Sequence, residues 1–275
     1  MSLLLIGGKS SLAKSLKELL NKKKITFTET EKEYDSKLYL DLSDINSFDN
    51  IPTSTKKAIL FAGITNINIC EKNKSLAYKI NYKNSKILID RLNKLGVSCL
   101  FISSSAVFSN KTLKNGEKDF KDPDTYYGIL KSKLENKIID QDLNSILRLT
   151  KVILPDMPLI LNWIKDLKNN NQIKAYKDLY LSPISNISFN EMIYSWISLG
   201  YSGVQHLSSD QQISYFELIK FIANNLGLNN SLINSENVTQ NIKFNPTKSF
   251  LECNSENSKS LILEDELKII SQYYE

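Results

Sequence analysis

Tyr127 and Lys131 stand four residues apart in Tyr127-Gly128-Ile129-Leu130-Lys131, at the start of a stretch with helical patterning. That spacing puts both side chains on one helix face. An ammonium one turn from a phenol stabilises the phenolate. The pair is therefore expected to lower the tyrosine pKa from about 10 toward working pH and make Tyr127 a general acid. Reduction of a carbonyl needs such a proton. Upstream, Phe101-Ile102-Ser103-Ser104-Ser105-Ala106-Val107-Phe108 ends a strand in serines. A hydroxyl there can hold a substrate oxygen where negative charge develops, and Ser104 is the candidate. A third motif, Gly7-Gly8-Lys9-Ser10-Ser11-Leu12-Ala13, lies between an apolar strand and a helical pattern. That is the position of a dinucleotide loop, with the diphosphate on the helix N-terminus. Ser10 stands where a second glycine is expected, adding a side chain beside the phosphates, and Ala13 replaces the third. Singly, the loop is an ordinary strand–turn–helix and the Tyr/Lys pair a solvated helix face; in combination they form a set.

These residues need a scaffold that brings strand ends together. Over the first 150 or so residues, short β-branched or leucine-rich runs alternate with amphipathic stretches, the mark of βαβ units and a parallel sheet. Strands are expected at residues 3–6, 25–28, 38–41, 58–61, 99–103 and 145–149. The clearest helix spans 76–95, where Ala77, Ile80, Asn84, Ile87, Leu88, Arg91, Leu92 and Leu95 recur at helical spacing and Gly96 caps the end. Beyond Pro155 the texture changes. Residues 1–155 are expected to form a dinucleotide-binding Rossmann domain, and 156–275 a mainly substrate-binding lobe, some of whose elements return to the sheet. Helices are expected at 216–226, closed by Gly227, and at 261–274. Asn and Ser crowd 229–260, but Leu232, Ile233, Val238, Ile242, Phe244, Phe250 and Leu251 interrupt them, which favours ordered loops. His206, the sole histidine, falls on a short strand of the second lobe and reads as structural; Trp163 and Trp196 read as core.

Composition narrows the field. The chain has 275 residues, 41% hydrophobic and 24% charged, and no apolar run near the ~18 residues that would cross a bilayer. Its start carries neither the basic segment nor the cleavage pattern of a secretory signal. Cys70, Cys99 and Cys253 are widely spaced, so neither a disulfide framework nor a metal site is expected, and a cytoplasmic setting follows. The net charge is +5, yet all but two of the 35 basic residues are lysines scattered along the chain, the exceptions being Arg91 and Arg148. No basic stripe suggests nucleic acid. The run Lys22 to Lys24 sits where the first helix should end, as charge on a helix dipole. The mild positive field suits an anionic substrate such as a nucleotide derivative.

The segments together resemble the extended short-chain dehydrogenase/reductase superfamily, most closely its dTDP-4-dehydrorhamnose reductase-like branch, over roughly residues 3–260. Asp41-Leu42-Ser43-Asp44 is similar to the segment near the adenine, and Ala62-Gly63-Ile64-Thr65 to a cofactor loop. Cys70-Glu71, Ala77 and Asn81 match the stretch that packs behind the active site. Ser103 to Phe108 resembles the family's S-T-D-Y-V-F, and Pro123, Tyr127-Gly128 and Lys131 its P-x-x-x-Y-G-x-x-K. Leu147-Arg148-Leu149, Ser182-Pro183, Gly203, His206-Leu207-Ser208, Pro246 and Leu251 follow in family-like order. The resemblance implies an α/β, Rossmann-type doubly wound parallel sheet with a small C-terminal substrate lobe. It implies Ser104, Tyr127 and Lys131 as catalytic. Gly7, Gly8, Lys9, Ser10, Ser11, Leu12, Glu29, Asp41, Leu42, Ala62, Gly63, Thr65, Tyr127 and Lys131 would hold the cofactor, and Ser104, Ser105 and Tyr127 the substrate. The implied partner is a nucleotide-sugar, for deoxysugar or polysaccharide synthesis, with a homodimer allowed and neither nucleic acid nor membrane involved. NADPH is the implied cofactor, with NADH or tightly held NAD as alternatives: Lys9 could pair with a 2′-phosphate, whereas Glu29 could accept ribose hydroxyls. Ser105-Ala106 replaces the reductases' Asp-Tyr and cannot perform a dehydratase's acid–base elimination. It is similar to some 4-epimerases, so epimerisation is an alternative to reduction. A non-catalytic regulatory subunit, suggested by Ser10, is another.

Overall fold

Leucine-rich runs with no polar alternation require burial on both faces, and the computed structural model, which describes residues 2–34, 36–109, 114–238 and 250–275, gives them that environment. The first half contains β1 (Ser2–Ile6), α1 (Ser11–Lys22), β2 (Phe27–Glu29), β3 (Thr55–Leu60), α2 (Ile67–Lys72), α3 (Lys74–Tyr78), α4 (Ser85–Lys94), β4 (Ser98–Ile102), α5 (Tyr126–Ile138) and β5 (Asn144–Leu149). There follow β6 (Lys151–Ile153), α6 (Pro158–Lys168), β7 (Ile173–Tyr176), β8 (Tyr180–Leu181), β9 (Pro183–Ser185) and α7 (Asn186–Leu199). The chain ends with β10 (Gly203–Ser209), β11 (Ile213–Ser214), α8 (Tyr215–Asn225), β12 (Ile233–Glu236), β13 (Lys259–Leu261) and α9 (Leu263–Gln272). A parallel seven-stranded sheet runs β13-β10-β5-β4-β3-β1-β2.

Alternate residues of each strand feed opposite layers. Leu3, Leu5, Ile59, Leu100 and Leu147 pack against Leu16 and Leu20 of α1 and Phe189, Ile193 and Trp196 of α7. Leu4, Ile6, Ala58, Phe101 and Ile146 pack against Leu88 and Leu92 of α4 and Leu134 and Ile138 of α5. A third core gathers Ile160, Trp163, Ile173, Leu218, Ile222, Ile233 and Ile270 from α6, β7, α8, β12 and α9. Both tryptophans are buried in cores, as expected. The sheet order reverses beside β1, which opens the crevice where such folds bind ligands.

Three local expectations are corrected. Residues 38–41 form no strand, only a single bridge from Tyr39 to Glu31. Turn chemistry wins there: the Ser43 amide donates to Asp41 Oδ1 and the Asp41 amide to Ser47 Oγ, while Leu40 and Leu42 still supply core. The helix over 76–95 is broken, because residues 79–84 form a π-turn between α3 and α4. The extra residue of that turn brings Asn81 inside. His206 lies on β10, within the central sheet beside β5, rather than on a strand of the second lobe. Pro246, Ile242 and Phe244 lie outside the described residues.

Candidate active site

The loop after β1 and the loop after β3 meet at the switch point. Gly7 adopts φ +84°, and a Cβ there would come within 2.8 Å of the Ala62 amide nitrogen, so only glycine allows this approach. Ser10 caps α1, its hydroxyl accepting from the Ala13 amide at 3.3 Å. The serine that replaces a glycine is thus a helix cap turned back onto its own helix, which removes the motive for a non-catalytic reading. The amides of Ser11 and Leu12, as at any helix start, find no acceptor among the described residues. A cavity of about 370 Å³ opens beside this turn, lined by Gly7, Lys9, Ser10, Asp41, Leu42, Ala62, Gly63 and Ile64, and by Glu31, Lys32 and Glu33. The size, the close backbone approach at Gly7 and the free amides fit a dinucleotide. Glu29 does not line the cavity: its carboxylate pairs with Lys17 at 2.6 Å. Lys9 bridges Glu31 at 2.7 Å and Glu33 at 3.1 Å. Carboxylates do stand at this edge, then, but two and four residues beyond the one singled out. Period-2 patterning in so short a strand gave no means of locating its end. Gly8, Ser11 and Leu12 do not line this cavity.

A second cavity, of about 360 Å³, begins at Thr65 and is lined by Ser104, Ser105, Tyr127, Thr150, Lys151, Tyr180 and Tyr215 among others. Thr65, expected at the cofactor, belongs here. Ser104 ends the β4 loop and caps a short 3-10 turn, accepting from the Ala106 amide at 3.1 Å, and it lines the same cavity as Tyr127. Lys131 donates to the Ile102 carbonyl at 2.8 Å, 5.7 Å from the Tyr127 ring centre. Ser104, Tyr127 and Lys131 therefore converge. Their electrostatics differ from the expectation. Burial pushes the Tyr127 phenol above its usual range, with Cys70 adding to the rise and the Ser104 hydroxyl opposing it. Burial also lowers Lys131 to about 8, against the pull of Glu135. Desolvation sets the sign of both shifts, because both groups are buried.

The helix that presents the pair is fixed at several points. Thr125 caps α5 by accepting from the Gly128 amide at 3.1 Å, and Glu71 Oε1 accepts from the Tyr126 amide at 2.6 Å. A Cβ at Gly128 would lie 1.9 Å from the Ala106 carbonyl oxygen, so helix and serine loop touch only because the residue after Tyr127 is glycine. One turn beyond Lys131, fully buried Glu135 receives Arg148 at 2.8 Å, Lys121 at 3.1 Å and the Ser103 hydroxyl at 2.5 Å. Asn81 clamps the loop after β3 at Ile64, accepting from its amide at 2.7 Å and donating to its carbonyl at 2.8 Å. Glu135, Lys121 and Lys151 carry no sequence signal of these roles; the first lies at helical spacing from Lys131, its only clue.

The comparisons agree with this geometry. Residues 1–266 match the RmlD substrate binding domain. No curated protein sequence gives a match. Among solved structures, a dTDP-4-dehydrorhamnose reductase from Yersinia enterocolitica superposes with a TM-score of 0.86 at 22% identity, covering 100% of this chain and 99% of that one. The Bacillus anthracis dTDP-4-dehydrorhamnose reductase, solved with NADP, gives 0.85 at 22% identity over 98% of each chain. The UDP-glucose 4-epimerase of Thermotoga maritima, solved with UDP-glucose, gives 0.82 at 15% identity, covering 100% of this chain and 98% of that one. A Rossmann-type sheet, a glycine turn at its switch point and a Ser/Tyr/Lys cluster one loop away accord with a match over nearly the whole length: the chain belongs to the RmlD substrate binding domain family.

Proposed function

We propose that this protein reduces a keto group on a nucleotide-activated deoxysugar, in the manner of a dTDP-4-dehydrorhamnose reductase. Residues 1–155 would hold the dinucleotide and most of 156–275 the sugar-nucleotide. The observation that carries the reading is the convergence of Ser104, Tyr127 and Lys131 beside a cavity adjoining the Gly7 turn. A reduced nicotinamide dinucleotide, NADPH or NADH, supplies the hydride when bound. The Ser104 hydroxyl holds the carbonyl oxygen in the place where its charge grows. Tyr127, protonated because it is buried, gives its proton to that oxygen as the alcohol forms, and is later reprotonated from solvent. Lys131 stabilises the phenolate during its short life. The biosynthetic setting is the making of a deoxysugar or polysaccharide precursor, and the free state of Cys70, Cys99 and Cys253 suits a reducing cytoplasm.

With dTDP-4-dehydrorhamnose as substrate, absorbance of the reduced nicotinamide should fall. Tyr127→Phe should slow that fall by about 10²-fold or more, the usual worth of a positioned acid. Turnover within about tenfold of the parent would overturn the acid assignment. The Thermotoga maritima likeness and Ser105-Ala106 favour a second reading, a sugar-nucleotide 4-epimerase. It requires sugar interconversion with no net loss of that absorbance.

A further inference from the structure

The substrate cavity contains a cation for which hydride transfer has no use. Lys151 opens β6, just past the end of β5, and is the single Lys, Arg, His, Asp or Glu among the described residues lining this cavity. Elsewhere the fold supplies oxygen to ammonium groups that turn inward. Lys131 meets the Ile102 carbonyl, Lys57 the Ile197 carbonyl at 2.7 Å, and Lys121 the Glu135 carboxylate at 3.1 Å. Lys151 has no such hydrogen bond or ion pair among the described residues, and burial lowers its pKa below that of ordinary lysine. A partly buried ammonium that no protein oxygen meets, at the wall of an open cavity, is placed to receive an anion that enters it.

The geometry points to Lys151 as an oxyanion-binding residue that selects the substrate of the Ser104/Tyr127 site. The Lys151 ammonium pairs with an anionic oxygen of that ligand. Lys151 shares its cavity with Ser104, Ser105 and Tyr127, so the anion is carried by the molecule being reduced. Its chemistry is that of a phosphate or carboxylate: the diphosphate of a nucleotide-sugar, or an acid group on the sugar itself. The assignment rests on the reading of this cavity as the substrate site.

The test is calorimetric titration of the full chain with dTDP, dTDP-glucose and dTDP-glucuronate and their three uridine counterparts. Lys151→Met should weaken at least one of these ligands by about 30-fold, while Lys151→Arg, which keeps the charge, stays within about threefold. Loss shared by all ligands, free diphosphates included, assigns the anion to the diphosphate; loss confined to the glucuronates assigns it to the sugar. In turnover the same substitution should raise KM far more than it lowers kcat, as removal of a ground-state contact does. Lys151→Gln stands in if the Met variant melts early. Dissociation constants within about threefold of the parent for every ligand in the neutral variants would overturn the assignment, as would failure of all six to bind the parent protein. Because binding is read without turnover, a parent protein that binds but does not consume reduced nicotinamide would refute the reductase reading alone.

Discussion

At Tyr127, burial pushes the phenol up, Cys70 adds to the rise, and only the Ser104 hydroxyl opposes it. The phenol keeps its proton in the resting protein, which is what an acid needs; an alkoxide forming at its hydroxyl is basic enough to take it. Lys131 is the residue that titrates near working pH, lowered to about 8. It is a cation below that value and neutral above it. The kcat/KM for the dinucleotide, which reports the free enzyme, should therefore hold to near neutrality and fall as pH rises through about 8. Lys131→Arg, whose charge persists, should retain residual activity without that falling limb. A parent profile flat through pH 9.5 or so would refute the assignment of the titration to Lys131. Ser104, Tyr127 and Lys131 were legible as a set because a strand end and an i,i+4 pair are local patterns. The sign of the Tyr127 shift was not, since it depends on what encloses the ring.

Among the elements, α5 matters most. Its entry is set by Thr125 and Glu71, its approach to the serine loop by Gly128, and its distal turn by the Glu135 and Arg148 pair. Gly128→Ala places a methyl where the Ala106 carbonyl stands, so the helix must move off the loop. The expected cost is about 1–3 kcal/mol of stability. Displacing the acid from the substrate oxygen should also cost about 10²-fold in kcat. Chemical denaturation and steady-state kinetics on the same preparation check both. A variant of parental stability and rate would show that helix and loop need not touch. The π-turn at residues 79–84 acts on the other loop, carrying Asn81 to Ile64. The hydrophobic spacing of 76–95 concealed it, because one inserted residue leaves both flanking apolar faces nearly in phase.

On the scale of the whole molecule, the sheet is completed by strands from the far end of the chain, and His206 on β10 joins the buried network around Arg148. Its Nε2 lies 3.1 Å from Arg148 and its Nδ1 2.7 Å from the Glu252 carbonyl. Burial, with Arg148 reinforcing it, lowers His206 from 6.5 to about 4. As pH falls, the unfolded chain binds that proton near 6.5 and the folded protein only near 4, so stability is lost across this window. The loss amounts to roughly 3 kcal/mol. Glu135 and Glu117, held below the usual carboxylate range, act in the same direction at still lower pH. Urea denaturation at several pH values between 4 and 7 should show the slope, and His206→Gln should flatten it. An unchanged slope in the variant would assign the acid sensitivity elsewhere. Taken by itself, the sequence determined the parallel sheet, the glycine turn and the Tyr/Lys pair. Apolar runs, turn residues and i,i+4 spacing act over a few residues and need no knowledge of distant neighbours. Only the tertiary structure decided that Ser10 caps, that Glu29 faces Lys17, that His206 sits in the central sheet and that Lys151 lines the cavity beside Ser104 and Tyr127. Those outcomes depend on which remote segments share a low-dielectric interior, and burial there sums over elements that no local pattern relates.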